Sequence, residues 1–502
     1  MAQIIASVFA ESSEQVVRQA SKAAMAGADW LELRLDRWHS GVDLAPTLAQ
    51  VRLPVLVACR TPEDGGQFRG TLGERRELLS HALAAGAQGL DLEIGETWTP
   101  PAGRTRLRLF VRSFHSFTGV PKELPAIQHK LSSLAGTVSK IVVTAHDLAD
   151  AAPVLDLLQM VDQERTPTVA FAMGRTAWPT RVLAATLGAP YVYASVEDGE
   201  ETAPGQLPVG QLAGLYRVHH LGASTAVFGL LGNPALASLG PWLHNRAYRR
   251  LGVDAVYLPF ETSRPQAVLA MLPARQLRGL SVTGPHKVAM AGCCQRLHDE
   301  AAAIGAVNTL VAEAHGVWVG YNTDVAGITA ALLRAAVGEG AGRPAVVLGT
   351  GGAGRAAVFA LQQLGFAVTM LGRSLDPARE FAKTHGVHLG SLSADLPAGL
   401  QPAIVVNATP LGGIGRDADE RPLPAWKCPP GTIVHDLVYQ PHLTRFLRDA
   451  AAAGATIVPG VEMFLAQASA QIQRFTGTTI EADALRRFLA GTAAAPGVAE
   501  PG

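Results

Sequence analysis

The first 200 or so residues alternate between short apolar runs and longer amphipathic stretches. The stretches, such as 73–85 and 177–187, are rich in alanine and leucine at helical spacing. About eight strands that alternate with helices over roughly 200 residues predict a (β/α)8 barrel, and a doubly wound open sheet is the alternative. The predicted strands are 4–8, 30–35, 55–59, 89–92, 107–111, 140–143, 168–172 and 191–194.

Polar side chains collect near the ends of these predicted strands, where a barrel of this kind carries its chemistry. Lys140 stands out because it opens the apolar run 141–143. A desolvated lysine has a lowered pKa and attacks carbonyl groups, although a lysine at a strand start can also keep its amine in water. A lysine, a histidine and several arginines in one cavity suggest imine formation, proton transfer and carboxylate binding. The candidate residues are Glu32, Arg34, Arg60, Asp64, Glu93, His115, Lys140, Met173, Arg181, Thr202 and Gln206.

Several ordered motifs over about residues 1–215 resemble the type I 3-dehydroquinate dehydratases. They are Glu32-Leu-Arg34-Leu-Asp36, Arg60 with Asp64-Gly65-Gly66, Ser113-Phe-His115-Ser-Phe117, Lys140-Ile-Val, Met173 with Arg181, and Ala203-Pro-Gly-Gln206.

This resemblance implies roles for the candidate residues. Lys140 would form the imine with 3-dehydroquinate, His115 would move the protons, and Arg181 would bind the carboxylate. The family usually has glutamate where this chain has Asp64, a residue that would orient His115 through a longer or water-mediated hydrogen bond. The residues left to contact the substrate and close the lid loop are Glu32, Arg34, Arg60, Met173, Thr202 and Gln206.

Length and composition extend the prediction beyond one enzyme. The chain has 502 residues, which suits two or three domains, and a Gly/Pro-rich acidic segment at 197–210 separates the first from a new strand at 225–229. The formal net charge is zero, so no general field attracts nucleic acid or a membrane. The 4 cysteines lack metal-ligand spacing, so we expect no metal site. With no signal segment and no long apolar run, we expect a cytoplasmic protein.

A glycine-rich turn in the second half predicts dinucleotide binding. The predicted strand 345–348 is followed by the G-x-G-x-x-G pattern and then a helical run, so backbone amides would cradle a pyrophosphate. The next strand, 367–371, leads to Arg373, which suits the 2′-phosphate of NADP, whereas nearby Asp376 leaves NAD open. The turn residues are Gly349, Gly351, Gly352, Ala353 and Gly354.

Polar clusters on both sides of this turn carry a candidate acid/base pair, Lys287 and Asp324. In their order, these clusters resemble shikimate dehydrogenase over about residues 225–490. The resemblance implies that Lys287 and Asp324 are catalytic. It implies substrate contacts from Ser238, Thr283, Asn308, Tyr439 and Gln467, and cofactor contacts from Asn407, Thr409, Gly460 and Met463, the last beside the nicotinamide.

The two resemblances together imply a bifunctional enzyme with three domains. Residues 1–217 would form the dehydratase barrel. Residues 225–335 with 460–490 would bind the substrate of the dehydrogenase, and residues 336–459 would form a Rossmann domain for NADP. The substrates would be 3-dehydroquinate, 3-dehydroshikimate and shikimate, and the sequence gives no oligomeric state.

Two departures from the dehydrogenase family leave alternatives open. The family reads Ser-Lys-Ser-Pro where this chain has Ser238-Leu-Gly240-Pro, and its asparagine before Val-Thr is Ser281 here. The missing serine binds the substrate carboxylate, a contact of on the order of 1.5–3 kcal/mol. A neighbouring residue could compensate, or the space at Gly240 could admit quinate. A ligand-binding descendant without turnover is a third possibility. Such a protein would be free to lose Lys140, His115, Lys287 and Asp324, and this chain retains all four.

Overall fold

The computed structural model describes residues 1–9, 11–38, 43–100, 107–272, 276–414 and 418–490. The chain divides into two compact α/β units, which are residues 1–227 with 254–277 and residues 228–253 with 278–502. Within the described ranges, no helix is long and apolar enough to cross a membrane.

The first unit contains an eight-stranded parallel barrel, as predicted. Its hydrogen-bonded order is β7-β6-β5-β4-β3-β2-β1-β8. The strands therefore follow the chain in sequence and the ring is nearly closed, whereas a doubly wound sheet would reverse its strand order at a switch point. The strands are β1 Gln3–Phe9, β2 Trp30–Arg34, β3 Val55–Ala58, β4 Gly89–Glu93, β5 Leu109–His115, β6 Val138–Thr144, β7 Thr168–Met173 and β8 Tyr191–Ala194.

Amphipathic helices connect the barrel strands. Helix α3 begins with a complete capping box, in which the Thr71 hydroxyl and the Glu74 carboxylate satisfy each other's backbone amides. These helices are α1 Ser13–Ala26, α2 Ala45–Leu48, α3 Leu72–Ala84, α4 Leu124–Ser133, α5 Ala152–Met160 and α6 Pro179–Thr186.

The barrel interior combines an apolar core with a polar layer. Ile5, Leu56 and Val142 belong to one buried cluster inside the ring. The strand register places Ser113 beside Lys140. The sequence had predicted Lys140 as the first residue of this strand, but it is the third residue of β6. The prediction placed this strand start too late, and the side chain of Lys140 is buried in the structure.

Residues 254–277 group with the barrel in this unit. They contain β10 (Ala255–Glu261) and α8 (Pro265–Val268). Asp147, in the loop after β6, accepts hydrogen bonds from the Ser263 amide at 2.8 Å and its hydroxyl at 2.7 Å. The Gln276 side chain donates to the Thr186 carbonyl at 2.8 Å. These contacts, to the loop after β6 and to the last residue of α6, hold the segment in place.

The second unit carries the predicted dinucleotide-binding sheet. Six parallel strands have the order β17-β16-β15-β18-β19-β20, so the chain reverses direction across the sheet between β15 and β18. Ligands of doubly wound sheets bind at such a switch point. These strands are β15 Pro344–Leu348, β16 Ala367–Gly372, β17 His388–Ser391, β18 Ile404–Asn407, β19 Ile433–Asp436 and β20 Thr456–Val458.

A second group of strands precedes the dinucleotide-binding sheet, with neighbours in the order β9-β11-β13-β14-β12. They are β9 Ala226–Gly232, β11 Leu277–Val282, β12 Arg296–Leu297, β13 Thr309–Ala312 and β14 Trp318–Tyr321. The helices of the unit are α7 Gly240–Leu251, α9 Lys287–Ala291, α10 Asp299–Ile304, α11 Thr323–Arg334, α12 Gly352–Gln363, α13 Arg379–Thr384, α14 Arg445–Ala452, α15 Gly460–Thr476 and α16 Ala482–Ala490.

The glycine-rich turn that joins β15 to α12 is tightly packed at Gly354. Gly349 has φ +112°, a conformation that favours glycine. A Cβ atom on Gly354 would lie 2.0 Å from the Gly349 carbonyl oxygen, whereas a Cβ on Gly351 would meet nothing within 4 Å. Close packing between strand and helix therefore requires glycine at 354 but not at 351.

We expect Gly354→Ala to lower the free energy of unfolding without cofactor by about 1–3 kcal/mol, because the clash with the Gly349 carbonyl exceeds the roughly 1 kcal/mol that alanine adds to a helix. Denaturant unfolding measures the change, with Gly351→Ala as the matched control. Equal stability of the two variants would contradict this account of the turn.

Candidate active sites

The pocket of the barrel gathers ten of the sequence-predicted residues. They line one cavity together with Phe117, Phe171 and Tyr193, which the sequence analysis did not select. Glu93, at the end of β4, is buried but is not part of this lining. The ten residues are Glu32, Arg34, Arg60, Asp64, His115, Lys140, Met173, Arg181, Thr202 and Gln206.

Lys140 is the buried amine of this pocket, with a side chain 3% exposed. Its Nζ lies 3.1 Å from Asp91 Oδ2 and 3.4 Å from Glu32 Oε1, and 3.6 Å from the centre of the Tyr193 ring. Burial lowers the pKa of Lys140, although the two carboxylates act in the opposite direction. The neutral amine, which is the form that attacks a carbonyl carbon, is therefore favoured relative to an exposed lysine.

Asp91 was missed by the sequence analysis. It lies in β4, and its Oδ2 accepts from Arg60 Nη2 at 2.9 Å, while its Oδ1 accepts from the Ser113 hydroxyl at 2.5 Å. Burial alone would raise the pKa of Asp91, but Lys140 and Arg60 lower it below its usual range. The signal was a carboxylate inside an apolar strand, which is costly unless a cation pairs with it.

His115 ends β5 with one ring nitrogen unpaired. Its Nδ1 is buried without a hydrogen-bond partner, and the ring stacks on Phe117 with centroids 6.2 Å apart. Burial lowers the pKa of His115 well below its usual value, and the charges of Arg60 and Lys140 lower it further. A neutral imidazole can accept a proton, so His115 has the form of a general base.

A direct hydrogen bond from Asp64 to His115, rather than the water-mediated one that the sequence also allowed, is not among those of the described residues. Asp64 closes a short 3-10 turn after Thr61, and its carboxylate accepts the Thr61 hydroxyl at 3.3 Å. The shorter side chain of aspartate is thus turned to its own loop. Asp64 still lines the pocket, and the adjacent Gly65 packs on Phe117, where a Cβ would lie 2.3 Å from the ring.

Arg181 holds the loop at the mouth of the pocket. Its Nε donates to the Gly205 carbonyl at 3.0 Å, while its Nη1 is buried without a partner. Burial lowers the pKa of Arg181 to about 9. In the same loop Gln206 Oε1 accepts from the amide and the hydroxyl of Thr202, at 2.7 and 3.1 Å. The unpaired Nη1 gives Arg181 a free donor for an anionic ligand.

Arg34 is less available, because its guanidinium is already paired. It forms a bidentate salt bridge with Asp36, in which Nε donates to Oδ1 at 2.8 Å and Nη2 donates to Oδ2 at 3.0 Å. Asp36 also accepts from the Gln67 amide at 3.1 Å, in the loop that follows β3. Arg34 therefore fixes the pocket wall more directly than it offers donors to a ligand.

The second site centres on the predicted pair. Lys287 Nζ is in direct contact with Asp324 Oδ2, and both side chains are largely buried. Asn308 Nδ2 donates to the other Asp324 oxygen at 2.7 Å. A Cβ atom on Gly352 would lie 2.8 Å from the Lys287 Cβ, so the lysine packs against the start of α12. The structure thus places an acid/base pair beside the turn that would bind a dinucleotide.

The residues of the other predicted substrate contacts have defined partners. Ser238 Oγ lies 3.2 Å from the Tyr439 hydroxyl and accepts from the Gly240 amide at 3.0 Å. Gln467 donates to the Phe464 carbonyl at 3.1 Å, and Tyr439 stacks on Phe464 with centroids 4.4 Å apart. Thr283 packs closely against Gly232, where a Cβ would lie 2.2 Å from its methyl group.

The cofactor side of the site combines fixed and exposed groups. Arg373 follows β16 and is exposed, and the Thr350 hydroxyl ties the turn to the adjacent Ser374 carbonyl at 3.0 Å. Met463 is buried against the core of the sheet. A Cβ atom on Gly460 would lie 2.4 Å from the Val438 carbonyl oxygen, so this glycine allows α15 to begin there.

Asp436, which the sequence analysis did not select for the site, orients the predicted Asn407 and Thr409. Its Oδ1 accepts from Asn407 Nδ2 at 2.9 Å, and its Oδ2 accepts from the Thr444 hydroxyl at 2.6 Å. Asn407 Oδ1 in turn accepts from the amide and hydroxyl of Thr409. Burial raises the pKa of Asp436 to about 6, although these hydrogen bonds act to lower it.

Fold and geometry define a chain with two α/β enzyme modules, a lysine-centred barrel and a dinucleotide-binding unit with a lysine–aspartate pair. Profiles of known families agree with this division. The type I 3-dehydroquinase profile matches residues 4–223, and the profile of the shikimate dehydrogenase substrate binding domain matches residues 230–310.

Similar proteins narrow the class further. The chloroplastic bifunctional 3-dehydroquinate dehydratase/shikimate dehydrogenase of Arabidopsis thaliana is 30% identical over 498 residues, which cover 94% of this chain and 82% of the relative. The chain belongs to the bifunctional 3-dehydroquinate dehydratase/shikimate dehydrogenase family.

Other relatives match the second half alone. The shikimate dehydrogenase (NADP(+)) of Halobacterium salinarum is 41% identical over 266 residues, or 52% of this chain and 98% of that protein. The crystal structure of shikimate 5-dehydrogenase from Thermus thermophilus in complex with NADP(H) and shikimate is 30% identical, with a TM-score of 0.44. It covers 53% of this chain and 98% of its own.

We expect the stability of the wild-type protein to fall relative to Asp436→Asn as the pH rises from about 4 to about 6. The folded Asp436 keeps its proton to a pH of about 6, against an ordinary value of 3.8. Its stabilising contribution is therefore complete below pH 4 and is lost as the pH rises through 6, a change of roughly 2–3 kcal/mol.

Denaturant unfolding at pH values from 4 to 7 measures this difference. The matched control is Asp376→Asn, because the Asp376 side chain is 86% exposed. Parallel stability curves for wild type and Asp436→Asn would contradict the raised pKa.

Proposed function

We propose that this chain catalyses two consecutive steps of the shikimate pathway. The barrel dehydrates 3-dehydroquinate to 3-dehydroshikimate, and the second unit reduces that product to shikimate. The observation that carries the proposal is the joint placement of a buried lysine amine, a neutral histidine and a partly unpaired arginine in one pocket. Family membership is consistent with this chemistry.

In the first reaction, Lys140 Nζ attacks the ketone carbon of 3-dehydroquinate, and loss of water gives an imine. The imine acidifies the neighbouring carbon, and His115 accepts its proton. His115 then returns a proton to the departing hydroxyl group, which leaves as water, and hydrolysis of the imine frees Lys140. Asp91 and Glu32 stay close enough to stabilise the positive charge on nitrogen.

Substrate orientation in the barrel rests on the arginines and the loop at its mouth. The unpaired Nη1 of Arg181 would bind the substrate carboxylate. Thr202 and Gln206, which already hydrogen-bond to each other, would meet the hydroxyl groups as the loop closes. Glu32, Arg60 and Met173 complete the proposed substrate contacts.

The second reaction needs a nicotinamide cofactor, which supplies a hydride when bound. The glycine-rich turn fits its pyrophosphate, because the turn leaves backbone amides free of side chains at the start of α12. Exposed Arg373 fits the 2′-phosphate, so we propose NADP, the cofactor in the names of several relatives. Asn407, Thr409, Gly460 and Met463 complete the proposed cofactor contacts.

Lys287 would donate the proton that the reduced carbonyl oxygen needs. Its contact with Asp324 orients the ammonium group, and Asn308 fixes the aspartate. Ser238, Thr283, Asn308, Tyr439 and Gln467 would contact the polyol acid.

This function assigns the parts of the chain. We propose that residues 1–217 form the dehydratase, that residues 225–335 with 460–490 bind the substrate of the dehydrogenase, and that residues 336–459 bind NADP. All four cysteines are free thiols, which fits a reducing compartment, and we infer the cytoplasm.

A second candidate is quinate dehydrogenase activity in the second unit. It is favoured by Gly240, which lacks a side chain at the predicted carboxylate site and directs its amide to Ser238. The additional hydroxyl group of quinate would occupy the vacated space.

The direct test is incubation with 3-dehydroquinate and NADPH, followed by chromatography of the products. We expect shikimate from the wild-type protein, and we expect Lys287→Ala to stop at 3-dehydroshikimate because it lacks the proton donor. Quinate as the main product would instead support the second candidate. A wild-type protein that consumes no 3-dehydroquinate would refute the first activity.

Lys140→Ala should abolish the covalent adduct that borohydride traps between protein and 3-dehydroquinate, because only an amine forms the reducible imine. Mass spectrometry of the intact protein measures the adduct. Lys122→Ala is the matched control, since Lys122 is exposed outside this pocket. An adduct that persists in Lys140→Ala would refute the imine assignment.

A further inference from the structure

Gln471 has a fully paired side chain next to the reduction site. It lies in α15, is 3% exposed, and appears in neither family resemblance. Its Oε1 accepts from the Ser281 hydroxyl at 2.8 Å. Its Nε2 donates to the Asn308 carbonyl and to the Thr309 hydroxyl, each at 3.2 Å. A hydrogen bond with buried His244 also involves this residue.

These partners fix the orientation of the carboxamide. A backbone carbonyl only accepts, so the group that faces the Asn308 carbonyl must be the NH₂. The opposite oxygen then receives the Ser281 proton. Since all partners are buried, a rotated or missing amide would leave buried polar groups without hydrogen bonds. Such groups are rare in proteins because they lower the free energy of unfolding.

Asn308 transmits this position to the catalytic pair. Its side-chain oxygen accepts from the Thr323 amide at 2.7 Å, and its Nδ2 donates to Asp324 Oδ1 at 2.7 Å. Asp324 contacts Lys287 through its other oxygen. A continuous series of hydrogen bonds therefore runs from Gln471 through Asn308 and Asp324 to the proposed proton donor.

We propose that Gln471 is a positioning residue of the reduction site, which holds the Asn308–Thr309 segment so that Asp324 meets Lys287 in the productive geometry. The inference rests on the proposed reductase function. It also accounts for serine at position 281, where the dehydrogenase family usually has asparagine. The Ser281 hydroxyl donates to Gln471, so helix α15 supplies the carboxamide that β11 lacks.

Gln471→Met tests the proposal, because methionine keeps the volume but removes every hydrogen bond of the amide. We expect kcat for reduction of 3-dehydroshikimate to fall by about 10- to 100-fold, since small displacements of a catalytic group have effects of this size. The KM for NADPH should change by less than about twofold. Dehydratase activity of the same sample should be unchanged and serves as the internal control for folding of the first unit.

Two further variants separate positioning from packing. Gln473→Met, on the exposed side of the same helix, is the matched control and should keep its kcat. The double variant Ser281→Asn/Gln471→Ala moves the amide from the helix to β11. Because the two side chains meet at 2.8 Å, we expect it to recover at least about tenfold over Gln471→Ala.

An unchanged kcat in Gln471→Met would overturn the inference, and so would a double variant no faster than Gln471→Ala. Should Gln471→Met fail to fold, Ser281→Ala removes one hydroxyl only and should lower kcat by about 3- to 10-fold; no change would overturn the inference. Wild-type protein that reduces neither 3-dehydroshikimate nor 3-dehydroquinate would refute the reductase function itself. If Lys287→Ala abolishes the reduction of 3-dehydroshikimate but Gln471→Met retains it, the positioning role alone is refuted.

Discussion

The buried amine of Lys140 is the constraint on which the barrel depends. An isolated ammonium inside a barrel would be too costly, so the strands must supply compensating carboxylates, and Glu32 and Asp91 do so. Two carboxylates alone would hold the lysine in its charged form. Burial opposes this and lowers the pKa of Lys140, and Arg60 adds to the effect while it pairs with Asp91 at 2.9 Å, so that Lys140 can lose its proton without leaving Asp91 unpaired. The reactivity of the amine thus depends on a four-residue balance rather than on burial alone.

The second unit also pairs a lysine with a carboxylate, but in a different arrangement. In the proposed reduction its lysine donates a proton, and here one carboxylate contacts it directly. The carboxylate needs support from elsewhere, which comes from the Asn308 side chain. Lys287 in turn packs on Gly352, so the glycine of the turn makes room for the lysine of this pair as well as for the proposed phosphate site. The backbone of the dinucleotide turn and the position of the proton donor are therefore set together.

The sequence predicted what depends on local pattern and missed what depends on distant partners. Periodicity located all eight barrel strands and the strand–turn–helix at Gly349, because each is encoded within a short window. Asp91 was missed because the lysine that justifies a buried carboxylate lies 49 residues further along the chain. Gln471 lies 163 residues from Asn308, and although helical spacing puts it on the buried face of α15, that spacing does not reveal its partners. Asp64 illustrates the reverse case, since a carboxylate stands at the motif position while its shorter side chain bonds to Thr61.

In each unit, the charge of the largely buried lysine is balanced by carboxylates of the same unit. The charges around Lys140 are balanced by residues before position 200, and those around Lys287 by residues after position 278. Among the described residues, each of the two amines has its counter-charge within its own unit. Interactions between exposed charges are largely screened beyond about 10 Å in ordinary salt, and buried pairs act mainly on their direct neighbours. A substitution that alters the charge balance of one pocket should therefore leave the ion pairs of the other pocket intact, which is why each proposed reaction can report on folding while the other site is changed.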